Sequence, residues 1–349
     1  MEILASSVPP LGDHRLSSFS DAFVAQFFKS SHVSMVAGYA AADAVVELSR
    51  LVEKKADLAS LDLVVGMANF DGLFRSQLDA LIDFHELLVN RSIGGVYIAR
   101  ALPVHAKASS FGSGTETLTA IVGSSNLSGL VPSFRQFEMD VLLRDLQTSQ
   151  VVHQMIRDIV DKASSPISIA KQDLKVRENP NLVLEGVPGV SRVDSPIPLP
   201  NPNALSFRIP IKPEPKSHLN VFFGAGRKQG GYEVPRHWYE VELIVGVDIT
   251  RKEGYPQAGT PEAIFDVITD DGWRFGCQVQ GQNSKNFRSS GDLRILGKWI
   301  KERLQNAGAL RIGEPVTSST FRDYGRSDLL LTKLADENLW LLDFAKPNV

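Results

Sequence analysis

The chain has 349 residues, 43% of them hydrophobic and 22% charged, enough length for two domains and the balance of a water-soluble protein. Its net charge of −3 excludes a polyanion-binding surface spread over the whole molecule, so any nucleic-acid site has to be local. One cysteine, Cys277, excludes an internal disulfide and a cysteine-based zinc centre.

The first residues, MEILASSVPP, lack the basic and apolar regions of a signal peptide. No apolar run approaches the ~20 residues of a membrane span. The single cysteine fits a reducing cytoplasm, so a cytoplasmic protein without membrane contact is expected. Residues 33–163 alternate strand and helix patterns. VSMVAGYA (33–40) reads as a buried strand, AADAVVELSRLVEKK (41–55) as an amphipathic helix, LDLVVGMA (61–68) as a strand and residues 73–91 as a long helix. Strands follow at GGVYIAR (94–100), VHAKASSF (104–111), TLTAIVG (117–123) and EMDVLLRD (138–145), then a helix near 148–163. Strands separated by helices predict an α/β sandwich.

Residues 164–203 are rich in Pro, Ser, Asn and Gly and read as an extended linker. Beyond 204 the pattern is β: LSFRIPI, YEVELIV, AIFDVIT, RFGCQVQ, DLLLTKL and LWLLDF, interrupted by one helix at 292–308. That predicts a small, mainly β barrel-like domain. The expected boundaries are 1–165 for a catalytic domain, 166–203 for the linker and 204–349 for the β domain.

Chemistry concentrates in the first domain. On a strand, residues two apart share a face, so His105 and Lys107 are expected to point the same way. GSSNLSG (123–129) ends the next strand in a turn, which puts Asn126 at its lip. Glu138 opens the strand after that. Imidazole, ammonium, amide and carboxylate together suit phosphoryl transfer. A histidine can attack phosphorus, a lysine and an amide can stabilise the equatorial oxygens, and a carboxylate can orient the imidazole. None of these roles needs a metal.

H-x-K, G-S-S-N and a strand-opening carboxylate resemble the active-site motif of the phospholipase D superfamily. The resemblance makes His105 the nucleophile, Lys107 and Asn126 phosphate ligands, Ser124 a pocket residue and Glu138 the carboxylate. Many members have Asp placed nearer the lysine, so Glu138 is the looser match. Members with one motif copy build one site from two subunits, and no second H-x-K occurs here. A homodimer with the two His105 residues at its two-fold axis is therefore expected. His85 and His153 fall in amphipathic helices and read as packing or surface residues.

Two loops of the β domain mix basic and amide side chains, the types that read base edges and phosphates. The first, 222–238, carries Arg227, Lys228, Gln229, Arg236 and His237. The second, 280–294, carries Gln282, Asn283, Ser284, Lys285, Asn286 and Arg288. GAGRKQGG lacks the ending and helix of a nucleotide-binding P-loop. LNVFFGAGRKQGGYEVPRHW, DDGWRFGCQVQGQNSKNFRSS, LGKWIKERL and YGRSDLLLTKL are similar to the B3-like DNA-binding domain, an open β-barrel that grips the major groove with two arms.

Both halves together resemble restriction endonucleases of the BfiI and NgoFVII/NgoAVII type. The resemblance implies sequence-specific, metal-independent cleavage of double-stranded DNA through a phosphohistidine, outside the bases read. It also implies a cognate methyltransferase, and a separate helicase-like ATPase subunit as the one route by which ATP would enter. A nonspecific nuclease or other phosphodiesterase of the superfamily is the alternative enzyme, and a DNA-binding regulator on a dead scaffold the alternative without catalysis.

Overall fold

The computed structural model describes the chain except residues 9, 13, 114–116, 132–135, 179–183, 194–195, 230, 336–337 and 347–349. It divides into two compact units, one of residues 1–179 with 227–235, the other of 180–226 with 236–349.

The first unit is built on β1 (Glu2–Ala5), β2 (His32–Ala37), β3 (Ser60–Val65), β4 (Gly94–Ala99), β5 (Ala108–Ser113), β6 (Thr117–Gly123), β7 (Met139–Leu143) and β8 (Ser164–Pro166). They form one sheet in the order β1-β7-β6-β5-β2-β3-β4-β8. β2, β3 and β4 are parallel, and the rest pair antiparallel. The parallel strands are nearly continuous apolar runs, as strands covered on both faces must be. Val33, Met35, Leu61, Leu63, Val64, Val96 and Ile98 are all buried. The major helices are α1 (Phe19–Lys29), α2 (Ala42–Lys54), α3 (Arg75–Asn90) and α4 (Leu146–Asp158). The Ser18 hydroxyl caps α1 by accepting from the Asp21 N–H, and the Asp145 carboxylate caps α4 by accepting from Thr148. α4 packs Ile156 onto Val36, Val64, Ala99 and Val104, so the core reaches under the segment that carries His105.

The strand expected over 104–111 is shorter than the sequence pattern suggests. β5 begins at Ala108, and residues 103–107 run without strand pairing. Gly66 is the reason. A Cβ there would lie 1.8 Å from the Val104 carbonyl oxygen, so only glycine lets the chain cross the end of β3 so closely. β1 and α1 lie in the first 29 residues, where no element is expected from the sequence. Within the stretch read as a linker, β8 joins the edge of the first sheet, and Val176–Arg177 pairs in parallel with Leu73–Phe74. Residues 179–183 and 194–195 of that stretch lie outside the described residues.

The second unit contains β9 (Val190–Arg192) and β10 (Ser206–Pro210). The chain then supplies β11 (Arg227–Gln229) and β12 (Tyr232–Val234), a two-stranded hairpin that belongs to the first unit. Back in the second unit follow β13 (Leu243–Ile244), β14 (Ile264–Thr269), β15 (Trp273–Gln280), β16 (Asn286–Ser289), α5 (Ile295–Asn306), α6 (Ser318–Tyr324), β17 (Asp328–Lys333) and β18 (Leu339–Asp343). The sheet order is β10-β17-β18-β14-β15-β16-β13, with β9 added on β15, and it curls into a half-barrel. β15 alternates buried and exposed positions along WRFGCQVQ, the pattern of a sheet with one core face. α5 closes the core with Trp299, Ile300 and Leu304, and Phe265, Phe275, Phe287 and Phe344 fill it.

Candidate active site

Four strand ends meet at one edge of the first sheet. β2 and β6 finish there, while β5 and β7 begin there, because neighbouring strands in this part of the sheet run antiparallel. Tyr39, His105, Lys107, Asn126 and Glu138 all lie within three residues of those ends. It is also the C-terminal edge of the parallel strands, where α/β sheets place their ligands.

His105 is exposed, and Lys107 is partly buried beside it. The Lys107 ammonium donates to the His105 carbonyl oxygen at 2.9 Å and lies 3.2 Å from Nδ1 and 3.3 Å from Nε2. The two side chains meet because Lys107 turns back on the unpaired 103–107 segment, not because they share a strand face. Burial draws the Lys107 pKa below the usual lysine value, and the Glu138 carboxylate acts against that. Glu138 itself is partly buried just before β7, its N–H donating to the Ser6 hydroxyl at 2.7 Å.

Asn126 Oδ1 accepts from the Tyr39 N–H at 3.1 Å. With that oxygen engaged, the Nδ2 donor is the end of the amide suited to a phosphate oxygen. Ser124 is exposed, and its hydroxyl accepts from the Met139 N–H at 2.9 Å and donates to the Met139 carbonyl at 3.3 Å. It ties the loop to β7.

The motif reading missed a second tie. Buried Asp140 accepts from the Ser125 N–H at 3.0 Å and from its hydroxyl at 2.6 Å. Burial raises the Asp140 pKa, opposed by the Ser125 bonds. A Cβ on Gly123 would lie 2.2 Å from Asp140 Oδ1, so glycine is what admits the carboxylate. Alternation along FEMDVLL, which turns Asp140 inward, was the available signal. Gly38, Tyr39 and Asp71 were also missed. A Cβ on Gly38 would come within 3.0 Å of His105 Cδ2. The Tyr39 ring meets the His105 ring edge-on at 5.7 Å. Among the described residues no group of three or more His, Cys, Asp or Glu side chains is gathered to hold a metal ion.

The residues expected to contact DNA divide between the two units. Arg227 and Lys228 are exposed on β11. Gln229 Nε2 donates to Ser20 Oγ at 3.0 Å and Asp21 Oδ1 at 2.9 Å on α1, so this amide reads a base only after those bonds break. The same hairpin stacks Tyr232 on Phe28 at 4.8 Å and pairs Glu233 with Lys54 at 2.9 Å.

In the second unit, Arg236 is held by Glu240 at 2.6 Å, and Arg288 lies 3.6 Å from Glu242 and bonds Gln280. His237 Nδ1 accepts from the Tyr239 N–H at 3.0 Å. Burial, aided by Arg294, Lys301 and Lys298, pushes the His237 pKa well below the usual value. Ser284 is buried, donating to Gln257 and accepting from the Ala258 N–H. Gln282, Asn283 and Lys285 are exposed, and Asn286 and Arg288 lie half-buried on β16. Asn283 and Ser284 both have positive φ, which turns the loop sharply before β16.

A sheet that gathers H-x-K and G-S-S-N at one edge, followed in the chain by a curled β domain, defines a phosphodiesterase of the phospholipase D superfamily carrying a B3-like DNA-binding domain. Residues 18–173 match the model of the NgoFVII restriction endonuclease N-terminal PLD domain, and residues 200–335 match the NgoFVII C-terminal B3-like DNA-binding domain. Between them these leave only residues 1–17, 174–199 and 336–349 uncovered, and the chain belongs to this restriction endonuclease family. Among solved structures, Nuc from Salmonella typhimurium, titled a phospholipase D family member, shares 14% identity over 47% of this chain and 97% of its own, with a TM-score of 0.33. NucT from Helicobacter pylori shares 11% identity over 46% of this chain and 98% of its own, with a TM-score of 0.32. The family assignment rests on the two domain matches. A comparison with curated proteins returns no match.

Proposed function

We propose that this chain is a sequence-specific endonuclease of double-stranded DNA that cuts through a covalent phosphohistidine on His105. The observation that supports it best is the meeting of His105, Lys107 and Asn126 at one sheet edge, with the Glu138 carboxylate charge acting on Lys107. In this reading an imidazole nitrogen of His105 attacks phosphorus and forms the P–N bond. The P–O bond to the leaving oxygen breaks, and that oxygen takes a proton from His105 of a second subunit. Lys107 and the Asn126 Nδ2 hold the equatorial oxygens as charge builds on them. Glu138 balances the lysine, and Ser124 holds the loop that presents Asn126. Water then attacks phosphorus and gives its proton to the second histidine, now unprotonated; the P–N bond breaks, and the product phosphate monoester leaves with both histidines restored.

The homodimer follows from a single motif copy per chain. Large apolar side chains exposed on the segments around the site, Tyr39, Phe70, Leu102, Phe137 and Met139, suit a face covered by a second copy. The second unit reads the DNA, with Arg227, Lys228 and Gln229 joining Arg236, His237, Gln282, Asn283, Ser284, Lys285, Asn286 and Arg288 as the candidate set. The chemistry uses no metal or other cofactor. A cognate methyltransferase, and an ATP-using helicase-like subunit, are partners for this reading in the cytoplasm. Among the described residues no helix is long and apolar enough to cross a membrane.

The test is hydrolysis of a chromogenic phosphodiester in excess EDTA, wild type against His105→Ala. Turnover in EDTA that is lost in the variant is expected. Equal turnover in both, or turnover that EDTA abolishes, would overturn the assignment.

A further inference from the structure

No motif in the sequence singles out Tyr39, yet three contacts converge on it. Its backbone N–H donates to Asn126 Oδ1 at 3.1 Å. Its ring stands edge-on to the His105 imidazole, with centroids 5.7 Å apart and planes at 78°. Its hydroxyl donates to Asp71 Oδ2 at 2.7 Å. The residue is 43% exposed, so filling the core does not explain it. Asp71 ends a helical turn, Ala68–Asp71, just beyond β3, so the hydroxyl bond ties the loop after β2 to the loop after β3. Donating that bond to the Asp71 carboxylate also raises the phenol pKa above its usual value.

We infer that Tyr39, tethered by Asp71, is a positioning residue that holds the His105 ring and the Asn126 amide in register for attack on phosphorus. The physical need is plain. An exposed imidazole has a broad torsion about its second side-chain bond, and a nucleophile must aim one nitrogen at one atom. Lys107 Nζ is nearly equidistant from the two ring nitrogens, so it favours neither orientation. The Tyr39 ring supplies a wall on the imidazole, and Gly38 lets the backbone close against Cδ2. The tether keeps that wall in place.

The inference rests on the proposed histidine chemistry, and its test separates the two. Full-length wild type, His105→Ala, Tyr39→Phe, Asp71→Ala, Asp71→Asn and the double variant Tyr39→Phe/Asp71→Ala are assayed on bis(4-nitrophenyl) phosphate. The His105 ring proton resonance is followed in the same proteins by histidine-selective labelling. Tyr39→Phe and Asp71→Ala are each expected to lower kcat roughly tenfold, since small misalignments are costly, with KM changed less than about twofold. The double variant should be no slower than either single one. Asp71→Asn, whose amide oxygen still accepts, should keep wild-type kcat. The His105 resonance should move to one shared position in Tyr39→Phe and Asp71→Ala and stay put in Asp71→Asn. Unchanged kcat with an unmoved resonance, losses that multiply in the double variant, or a rise in KM alone would overturn the inference. If His105→Ala matches wild type, or wild type does not turn over, the chemistry is what fails, and the resonance still decides whether the tether fixes the ring.

Discussion

At the scale of single residues, the proposed chemistry puts Lys107 and Asn126 on the phosphate and leaves Ser124, Ser125 and Asp140 to hold the loop. Replacing Lys107 or Asn126 with alanine should lower kcat by about 10²–10³-fold, the usual cost of losing a donor aimed at developing charge. Ser125→Ala should act more mildly, because it removes one of two bonds to Asp140 and leaves the backbone bond. Steady-state kinetics on a small phosphodiester would order the three. Four other histidines give a different prediction. His85, His153, His218 and His237 are all pushed below the usual imidazole pKa, chiefly by burial. A depressed folded pKa favours the neutral form, so their contribution to stability is complete above the unfolded value of about 6.5 and is lost as pH falls through the folded values. The Tm of the full chain should therefore drop between about pH 6.5 and 5, and His237→Gln should flatten part of that slope. A Tm curve that is level across this range, or identical in the variant, would contradict it.

At the scale of elements, glycines govern the site. Gly66→Ala would drive a Cβ into the Val104 carbonyl, and overpacking of that kind costs about 1–3 kcal/mol. Denaturant unfolding should show that loss, and activity should fall further because the 103–107 segment moves. The hairpin β11–β12 offers a second check. Phe28→Ala removes the stack under Tyr232, so trypsin should cut after Arg227 or Lys228 faster than in wild type. These elements also show what the sequence could and could not reveal. The apolar runs of β2, β3 and β4 and the alternation of β15 were legible, because each period reports its own burial. H-x-K and G-S-S-N were legible as a family motif, and the antiparallel strands bring them to one sheet edge. The early start of the unpaired segment was not, since it depends on Gly66 lying opposite Val104, 38 positions later in the chain. Tyr39 and Asp71 were hidden for the same reason: their importance comes from loops that only the folded sheet brings together.

At the scale of the whole molecule, the proposed chemistry takes its second histidine from a second copy, because each chain carries one H-x-K motif. Light scattering should give twice the monomer mass of 38.2 kDa, and mixing His105→Ala with wild type should yield heterodimers that lack the normal turnover. A monomer with full activity would contradict that picture. The central claim, a covalent bond between His105 and the cleaved phosphate, is tested most directly by alkaline quench of the full-length protein during turnover of an oligonucleotide duplex, followed by peptide mass spectrometry. Alkali preserves a P–N bond that acid breaks. The account predicts a nucleotide adduct on the peptide carrying His105, stable to base, lost on mild acid and absent from His105→Ala. Turnover with no adduct on that peptide, or an adduct on another residue, would contradict it.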